Sequence, residues 1–307
     1  MARYLVTGGC GFIGSHLVDA LLRRGDGVVV LDDLSTGRRA NLDPRAELLV
    51  GDAAEPDLVG RAMAGCDGCF HLAAIASVER GVEDWLGTHR ANQTAAVTVF
   101  DAARRAGRIP VVYASSAAVY GDSADCPLAE TAPTRPVSAY GADKLGCELH
   151  GRVAWLSHGV PTVGLRFFNV YGPRQDPRSP YSGVIAIFAG RIAVGQGLTI
   201  HGDGGQTRDF IFVGDVVSHL LAAMAGAGAG AEVLNVCTGR GTSVLDLAGI
   251  IAGIAGRRPA ISHGPVRPGD VRISIGSPAA AIARLGLAAT VSVADGLALT
   301  LDTVAAA

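Results

Sequence analysis

Tyr140 and Lys144 have the residue types and the spacing of a proton-transfer site. They lie four residues apart in SAYGADKLG, so a helix would place both side chains on one face. A phenol keeps its proton at neutral pH, and a neighbouring ammonium group favours the phenolate, which could act as a base. The pair therefore predicts proton transfer to or from an alcohol, whereas an ordinary solvated lysine is the alternative for Lys144.

Lys144 is also the single lysine among 26 basic residues, the rest being arginine. Its compact head with three donors would bind two ribose hydroxyls of a nucleotide better than a planar guanidinium would. Ser116, at the end of VVYASS, adds a hydroxyl that could hydrogen-bond the reacting oxygen and relay its proton. Ser116, Tyr140 and Lys144 are therefore the predicted catalytic residues.

A glycine-rich turn near the amino terminus predicts a dinucleotide site. The predicted strand 4–8 leads through TGGCGFIG, with glycines at Gly8, Gly11 and Gly14, into the predicted helix 12–24. Backbone without Cβ atoms can approach a pyrophosphate closely, and the amides at the start of the helix can donate to it.

Carboxylates downstream favour NAD as the dinucleotide. Asp32, at the end of the second predicted strand with Asp33 beside it, could accept both adenosine-ribose hydroxyls and would repel a 2′-phosphate. Arg38 and Arg39 keep NADP open as the alternative. Asp52, after the third strand, is predicted either to bind adenine or to cap a turn.

The elements that would position these residues alternate between strands and helices. Apolar runs predict strands at 28–33, 47–52, 69–74, 111–116 and 162–170, with helices near 88–106 and 136–158 between the later ones. This alternation predicts an α/β chain with a doubly wound parallel Rossmann sheet and a smaller α/β C-terminal substrate lobe. We expect residues 1–170 to form the NAD-binding domain, with 211–238 returning to it. We expect 171–210 and 239–307 to form the substrate lobe.

Composition argues against several other classes of protein. The chain has 307 residues and a net charge of −2, which gives no electrostatic footprint for nucleic acid. Apolar runs are too short to span a membrane, the start shows no signal peptide, and six scattered cysteines suit a reducing cytoplasm. The CxxC of Cys66 and Cys69 lacks a second pair, and a metal site is not expected.

Six motifs in order resemble the extended short-chain dehydrogenase/reductase family. They are TGGCGFIGSH, HLAAIASV, SSAAVYG, YGADK, RFFNVYGPRQ and GDGGQTRDFIFVGDVV, and they are most similar to those of its nucleotide-sugar 4-epimerases. The resemblance covers nearly the whole chain. It implies a UDP-galactose or UDP-N-acetylglucosamine 4-epimerase, in which NAD stays bound, takes hydride from C4 and returns it to the other face of a 4-keto sugar.

The resemblance also implies roles for individual residues. Beyond those above, it places a group at the cofactor: Phe12, Ile13, Ala53, Leu72, Ala73, Ala74, Asn92 and Phe167. For Asn92 a structural role is an equal alternative. On the substrate side it implies contacts with the UDP-sugar from a second group: Ser116, Tyr140, Asn169, Arg208, Arg267, Asp270 and Ser274.

The resemblance implies more specific roles for three substrate-side residues, Arg267, Asp270 and Ser274. Arg267 and Asp270 resemble a phosphate clamp and a ribose acceptor, although a surface ion pair is the alternative. Ser274 resembles the position where a bulky aromatic residue excludes an N-acetyl group at C2, so a serine there predicts that UDP-GlcNAc and UDP-GalNAc are accepted.

The family often forms homodimers through helices near the Tyr140 segment, and a homodimer is the expected assembly.

The nearest rival function is a nucleotide-sugar 4,6- or 5,6-dehydratase. Such enzymes resemble this chain but carry an acidic pair after the strand-five serine, where this chain has Ala117 and Ala118. Alanine cannot transfer a proton, although Glu79 and Cys126 are conceivable substitutes. A reductase and a non-catalytic NAD-binding protein are further alternatives.

Overall fold

A computed structural model describes residues 1–123, 125–175, 183–266 and 271–305. Short apolar, β-branched runs give its strands. These are β1 (Arg3–Thr7), β2 (Gly27–Asp32), β3 (Glu47–Val50), β4 (Gly68–His71), β5 (Val111–Ser116), β6 (Thr162–Phe167), β7 (Asn169–Tyr171), β8 (Leu198–His201), β9 (Thr207–Arg208), β10 (Phe210–Phe212), β11 (Ala231–Val236), β12 (Thr242–Ser243), β13 (Ile261–Gly264) and β14 (Ile273–Ser274).

Helices follow most of the strands. They are α1 (Phe12–Arg23), α2 (Pro56–Met63), α3 (Val78–Glu83), α4 (Trp85–His89), α5 (Ala95–Arg105), α6 (Ala139–His158), α7 (Val184–Ala193), α8 (Val213–Ala225), α9 (Val244–Ile254), α10 (Ala279–Leu285) and α11 (Val293–Ala305). Among the described residues, none of these helices has both the length and the apolar character needed to cross a bilayer.

Seven parallel strands form the central sheet, in the order β3-β2-β1-β4-β5-β6-β11. Buried side chains of α1 and α8 cover one face, and those of α2, α5 and α6 cover the other. The order in which successive strands are added to the sheet reverses between β1 and β4, which is where doubly wound sheets bind their ligands. The prediction of a doubly wound Rossmann sheet is confirmed.

Smaller sheets lie beyond the end of β6. They pair β7 with β10, β8 with β13, and β9 with both β12 and β14. Side chains of β7, β8 and β10 share an apolar core with α7, α9 and α11. The sheet includes β11, which falls within the 211–238 stretch expected to return to the first domain. The division into two domains itself stays a prediction.

Two predicted elements are divided in the structure, and the predicted strands 47–52 and 69–74 end earlier, at Val50 and His71. The predicted strand 162–170 ends at Phe167, because the Asn169 amide instead donates to the Asp209 carbonyl oxygen (3.0 Å) and the chain pairs with β10. The predicted helix 88–106 is divided into α4, a π-helical turn at Arg90–Thr94, and α5. Both departures occur where the chain passes the edge of the sheet that binds ligands.

The helix α6 carries the Tyr140–Lys144 pair and has clear end signals. The Ser138 side chain accepts a hydrogen bond from the Gly141 amide, and Gly159 ends the helix in the left-handed region, with φ of 68°. Leu149, at 60% exposure, and Leu156, at 67%, lie on the outer side of this helix, whereas Lys144 is buried.

Candidate active site

A cavity of about 350 Å³ lies at the carboxyl ends of the sheet strands. Its wall includes all three predicted catalytic residues, Ser116, Tyr140 and Lys144. It also includes every predicted cofactor residue except Asn92: Gly8, Gly11, Phe12, Ile13, Gly14, Asp32, Asp33, Asp52, Ala53, Leu72, Ala73, Ala74 and Phe167. Residues up to 159 positions apart in sequence therefore share one wall.

The glycine turn is too tightly packed to admit side chains. Gly8 has φ of 72°, and a Cβ there would lie 2.7 Å from the Ala73 nitrogen. A Cβ on Gly14 would lie 2.1 Å from the Gly8 carbonyl oxygen. The helix α1 begins immediately after Gly11, which has no side chain to cap the helix. The first amides of α1 can therefore donate hydrogen bonds to an anion.

Asp32 closes the ribose end of the predicted dinucleotide site. Its carboxylate accepts hydrogen bonds from the Cys10 amide (2.9 Å) and the Leu34 amide (2.9 Å), and the residue is 5% exposed. Burial raises the pKa of Asp32 above its ordinary value, while the two amide donors oppose that shift. Asp33, which is exposed, accepts hydrogen bonds from the amide and hydroxyl groups of Ser35.

Asp52 has partners that fit both of its predicted roles. One carboxylate oxygen accepts a hydrogen bond from the Ala54 amide (2.8 Å), which is a turn-capping contact. The other accepts from the Arg90 guanidinium (3.2 Å), and Arg90 also pairs with Glu55. The side chain still lines the cavity, so a role at adenine stays a prediction beside the capping contact.

Lys144 lies beneath Tyr140 rather than in solvent. It is 2% exposed, and its Nζ atom donates to the Ala114 carbonyl oxygen at 2.8 Å. The same nitrogen lies 5.8 Å from the centre of the Tyr140 ring, so the amine and the phenol ring are neighbours in the cavity wall. This burial speaks against the alternative of an ordinary solvated lysine.

Ser116 reaches the same cavity from the end of β5. Its Oγ atom accepts a hydrogen bond from the Ala118 amide at 3.1 Å and caps the short 3-10 turn Ala117–Tyr120. Because that contact uses an oxygen lone pair, the hydroxyl proton stays available for donation to a ligand. The Ala117 and Ala118 side chains bring no carboxylate to this turn.

His71 is a buried neighbour of Lys144 that the sequence analysis did not single out as functional. Burial, with a smaller contribution from the Lys144 charge, lowers the pKa of His71 to about 3. The imidazole is therefore neutral at physiological pH, and its Nδ1 atom lies 2.7 Å from the Thr7 hydroxyl. Because the His71 ring is neutral, it does not add a second positive charge beside Lys144.

Asn92 lies behind the cavity wall formed by described residues rather than in it. Its side-chain oxygen accepts from the Ile75 amide (2.8 Å), and its side-chain nitrogen donates to the Ile75 carbonyl oxygen (3.2 Å). Asn92 lies in the π-helical turn, and Ile75 does line the cavity. These contacts favour the structural role that was left open for Asn92.

Three of the predicted substrate residues lie outside the cavity wall but close to one another, namely Asn169, Arg208 and Ser274, whereas Ser116 and Tyr140 belong to the wall. Arg208 in β9 is in register with Ser274 in β14. The Asn169 amide donates to the carbonyl oxygen of Asp209, the residue that follows Arg208. Arg267 and Asp270 lie outside the described residues. Asn169, Arg208 and Ser274 therefore occupy neighbouring short strands beyond the central sheet.

Asp209 holds this region together, and the sequence analysis did not identify it. The side chain is fully buried and accepts hydrogen bonds from the amides of Thr238 (2.8 Å), Gly239 (2.9 Å) and Gly276 (3.3 Å). Burial raises the pKa of Asp209, and these donors oppose the shift. Its place in the QTRDF motif, beside Arg208, was the available signal.

Further residues of the cavity wall were also missed. Most of them adjoin a predicted residue along the chain, which was the usable signal: Leu31, Ser35, Thr36, Gly37, Gly51, Ile75, Ala76, Ala91, Ala114, Ser115, Phe168 and Val170. Glu79 is exposed on α3, and the Cys126 thiol lies 3.6 Å from the Ile273 carbonyl oxygen. Across the described ranges, no cluster of His, Cys, Asp or Glu has the makings of a metal site.

The residues present fit a dinucleotide. The glycine cradle leaves room where Cβ atoms would collide, the start of α1 faces the cavity, and a buried carboxylate lies at the end of β2. The ammonium of Lys144 and the phenol of Tyr140 stand at the opposite end of the wall from Asp32, where a nicotinamide ribose would lie in such a site.

Comparison with known proteins agrees with this geometry. Residues 4–237 match the model of the NAD dependent epimerase/dehydratase family. The chain is 40% identical to a UDP-glucose 4-epimerase of Mycolicibacterium smegmatis, covering 98% of this chain and 97% of the relative.

Two solved structures are similar over almost the entire chain. One is the UDP-glucose 4-epimerase of Thermotoga maritima with UDP-glucose, with 36% identity, 98% coverage of each chain and a TM-score of 0.93. The other is the UDP-N-acetylglucosamine 4-epimerase of Methanobrevibacter ruminantium, in complex with UDP-N-acetylmuramic acid. It has 33% identity, coverage of 99% of this chain and 98% of that one, and a TM-score of 0.94. The chain therefore belongs to the NAD dependent epimerase/dehydratase family, and NAD is its cofactor.

Proposed function

We propose that the protein interconverts UDP-sugars that differ in configuration at C4, namely UDP-glucose with UDP-galactose and UDP-GlcNAc with UDP-GalNAc. The observation that carries the proposal is the convergence of Ser116, Tyr140 and Lys144 on the NAD cavity, with the Lys144 ammonium buried beside the phenol. The similarity to UDP-sugar 4-epimerases over the whole chain supports the choice of substrate.

Each catalytic side chain has a distinct task in this reaction. NAD, which the glycine turn, Asp32 and Lys144 would hold, would supply a hydride acceptor for C4 and a hydride donor for the resulting ketone. The Tyr140 phenol oxygen takes the proton of the C4 hydroxyl, and Ser116 donates a hydrogen bond to the same sugar oxygen. Lys144 stabilises the negative phenolate and holds ribose hydroxyls. Tyr140 gives the proton back when the ketone is reduced.

The dehydratase alternative needs an additional acid/base group near the sugar. Ala117 and Ala118 provide none at the turn after β5, and Glu79 is exposed on α3. The Cys126 thiol is engaged with a backbone carbonyl oxygen at 3.6 Å. These positions favour epimerisation over loss of water.

Product analysis without added cofactor tests the proposal. Purified protein is incubated with UDP-galactose or UDP-GlcNAc, and the nucleotide sugars are separated by anion-exchange chromatography. The C4 epimers, which have equal mass, are identified by their retention against standards, and a dehydrated product is identified by mass. We expect conversion to the C4 epimer, because NAD is regenerated in each cycle. A product lighter by one water would instead identify a dehydratase, and a requirement for added NAD(P)H would identify a reductase.

Ser274 is proposed to admit the N-acetyl group. Its β14 position in register with Arg208, another predicted substrate residue, supports this role, because a bulky ring there would fill space beside Arg208. We expect Ser274→Tyr to lower kcat/KM for UDP-GlcNAc by more than about tenfold while UDP-glucose turnover is retained. Ile273→Tyr is the matched control, because neighbouring strand residues face opposite sides and Ile273 is exposed. Equal losses for both sugars would contradict the role.

The assembly is proposed to be a homodimer that buries the outer side of α6. Leu149 and Leu156 on α6, with Trp85 and Leu86 on α4, are large apolar side chains that are more than half exposed. Exposed apolar side chains of this size on two adjacent helices are typical of an interface between protein subunits.

Light scattering during gel filtration tests this interface. We expect the wild type to elute as a dimer and Leu149→Glu/Leu156→Glu as a monomer, since two buried charges would face the partner. The control Ile254→Glu/Ile282→Glu places charges at exposed apolar sites on α9 and α10 and should stay dimeric. A monomeric wild type, or a dimeric α6 variant, would contradict the proposal.

The protein is further proposed to act in the cytoplasm. Its six cysteines are all free thiols, and five of them are buried, which suits a reducing compartment. Fractionation of cells that express the tagged protein tests this, with recovery in the cytosolic fraction as the expected result.

A further inference from the structure

A buried polar network lies between α6 and the sheet, behind the cavity. Its centre is an ion pair in which the Arg166 guanidinium donates to both oxygens of Glu148, at 2.8 and 2.7 Å. Ser115 donates a third hydrogen bond to the same carboxylate. Each of these three residues is less than a tenth exposed, and among the described residues neither Glu148 nor Arg166 belongs to the cavity wall.

One arm of the network fixes the catalytic helix against β5. Tyr140, Lys144 and Glu148 follow one another at intervals of four residues, so they form one stripe along α6. Lys144 donates to the carbonyl oxygen of Ala114, and Glu148 accepts from the side chain of Ser115. Two consecutive turns of α6 are thus tied to two consecutive residues of β5, directly before Ser116.

The other arm continues towards the substrate-side strands. Arg166 donates to the Tyr120 hydroxyl (2.8 Å), which donates to the Asn235 side-chain oxygen (2.7 Å). The Asn235 side-chain nitrogen donates to the Leu128 carbonyl oxygen (2.9 Å). Leu128 in turn donates through its amide to the carbonyl oxygen of Ile275 (2.8 Å), the neighbour of Ser274.

Burying an ion pair costs desolvation, and the cost is offset only while the geometry of the pair is maintained. A shift of α6 along or about its axis would separate Glu148 from Arg166 and leave two unpaired buried charges. The pair therefore selects one placement of α6 relative to β5 and β6. In that placement, Tyr140 and Lys144 share the cavity with Ser116.

We propose that Glu148 and Arg166 are positioning residues for the reaction, which hold Tyr140 and Lys144 in register with Ser116 and couple them to the strand that carries Ser274. The proposal rests on the C4 epimerase function proposed above. Displacing reacting groups by about 1 Å can cost a factor on the order of 100 in rate. Loss of the network should therefore lower kcat rather than substrate affinity.

The test replaces the network with apolar side chains, so that stability and positioning are separated. Ser115→Ala/Glu148→Met/Arg166→Met leaves no unpaired charge, and such replacements of buried ion pairs are often neutral in stability. We expect an unchanged NAD content, a thermal unfolding midpoint close to that of the wild type, an unchanged KM for UDP-galactose, and a kcat lower by about 10- to 100-fold.

The matched control is Glu232→Met/Arg284→Met, which removes a surface Glu–Arg pair between β11 and α10 that includes no residue of α6. It should keep the kcat of the wild type. A triple variant with wild-type kcat, or a loss of kcat matched by loss of folded protein, would overturn the positioning role. Failure of the epimerase function would appear in the wild type instead, as no conversion of UDP-galactose.

Discussion

Replacing Tyr140 with phenylalanine is expected to lower kcat for epimerisation by at least about 100-fold, the range set by loss of a general base. The ring still fills its place in the cavity wall, so NAD content and the folded state should not change. Only the phenol oxygen, which accepts the proton in the proposed reaction, is lost. The measurement is the rate of UDP-galactose conversion under substrate saturation, with NAD released from denatured protein and quantified.

Tyr4→Phe is the matched control for this variant. Tyr4 lies in β1, where its ring packs edge-on against Phe70, away from the cavity wall. Removing its hydroxyl should leave kcat unchanged. A Tyr140→Phe protein that retains more than a tenth of the wild-type kcat would assign the proton transfer to another group.

Replacing Gly14 with alanine is expected to remove NAD and to destabilise the protein. The new Cβ atom would lie 2.1 Å from the Gly8 carbonyl oxygen and 2.8 Å from the Gly9 Cα atom, and both neighbours are backbone. The turn must therefore open, which displaces the cradle together with the first turn of α1. Overpacking of this kind costs about 1–3 kcal/mol of unfolding free energy. Urea unfolding and NAD content measure the two effects.

Gly249→Ala is the control for the general effect of a glycine replacement. Gly249 lies within α9, and a Cβ there would meet nothing within 4 Å. Alanine should stabilise the protein by roughly 0.5–1 kcal/mol, because it has less conformational freedom than glycine in the unfolded chain. The NAD content should not change. A Gly14→Ala protein with normal NAD content would show that the turn is not the cofactor cradle.

The order of strands and helices was predictable because each depends on neighbouring residues. The alternation of short apolar runs with amphipathic segments predicted the parallel sheet, which is confirmed, and the glycine turn with Asp32 predicted NAD, also confirmed. The catalytic and binding roles stay predictions, although one cavity collects nearly all of those residues.

Long-range contacts could not be predicted in the same way. Glu148 and Arg166 look like surface charges in a helix and a strand, and only folding shows that both are buried against each other. Asp209 reaches donors 29 and 67 residues further along the chain. The apolar stripe at Leu149 and Leu156 has the period of a core-facing helix, yet it lies on the outer side of α6.

The burial of Lys144 has a consequence for chemical labelling. Acylating reagents attack unprotonated primary amines that solvent can reach, and this chain carries a single lysine, 2% exposed and bonded to Ala114. Apart from the amino terminus, the native protein thus offers such reagents almost nothing to modify. The fraction of protein acylated at Lys144 would therefore measure the fraction of molecules in which α6 has separated from the sheet.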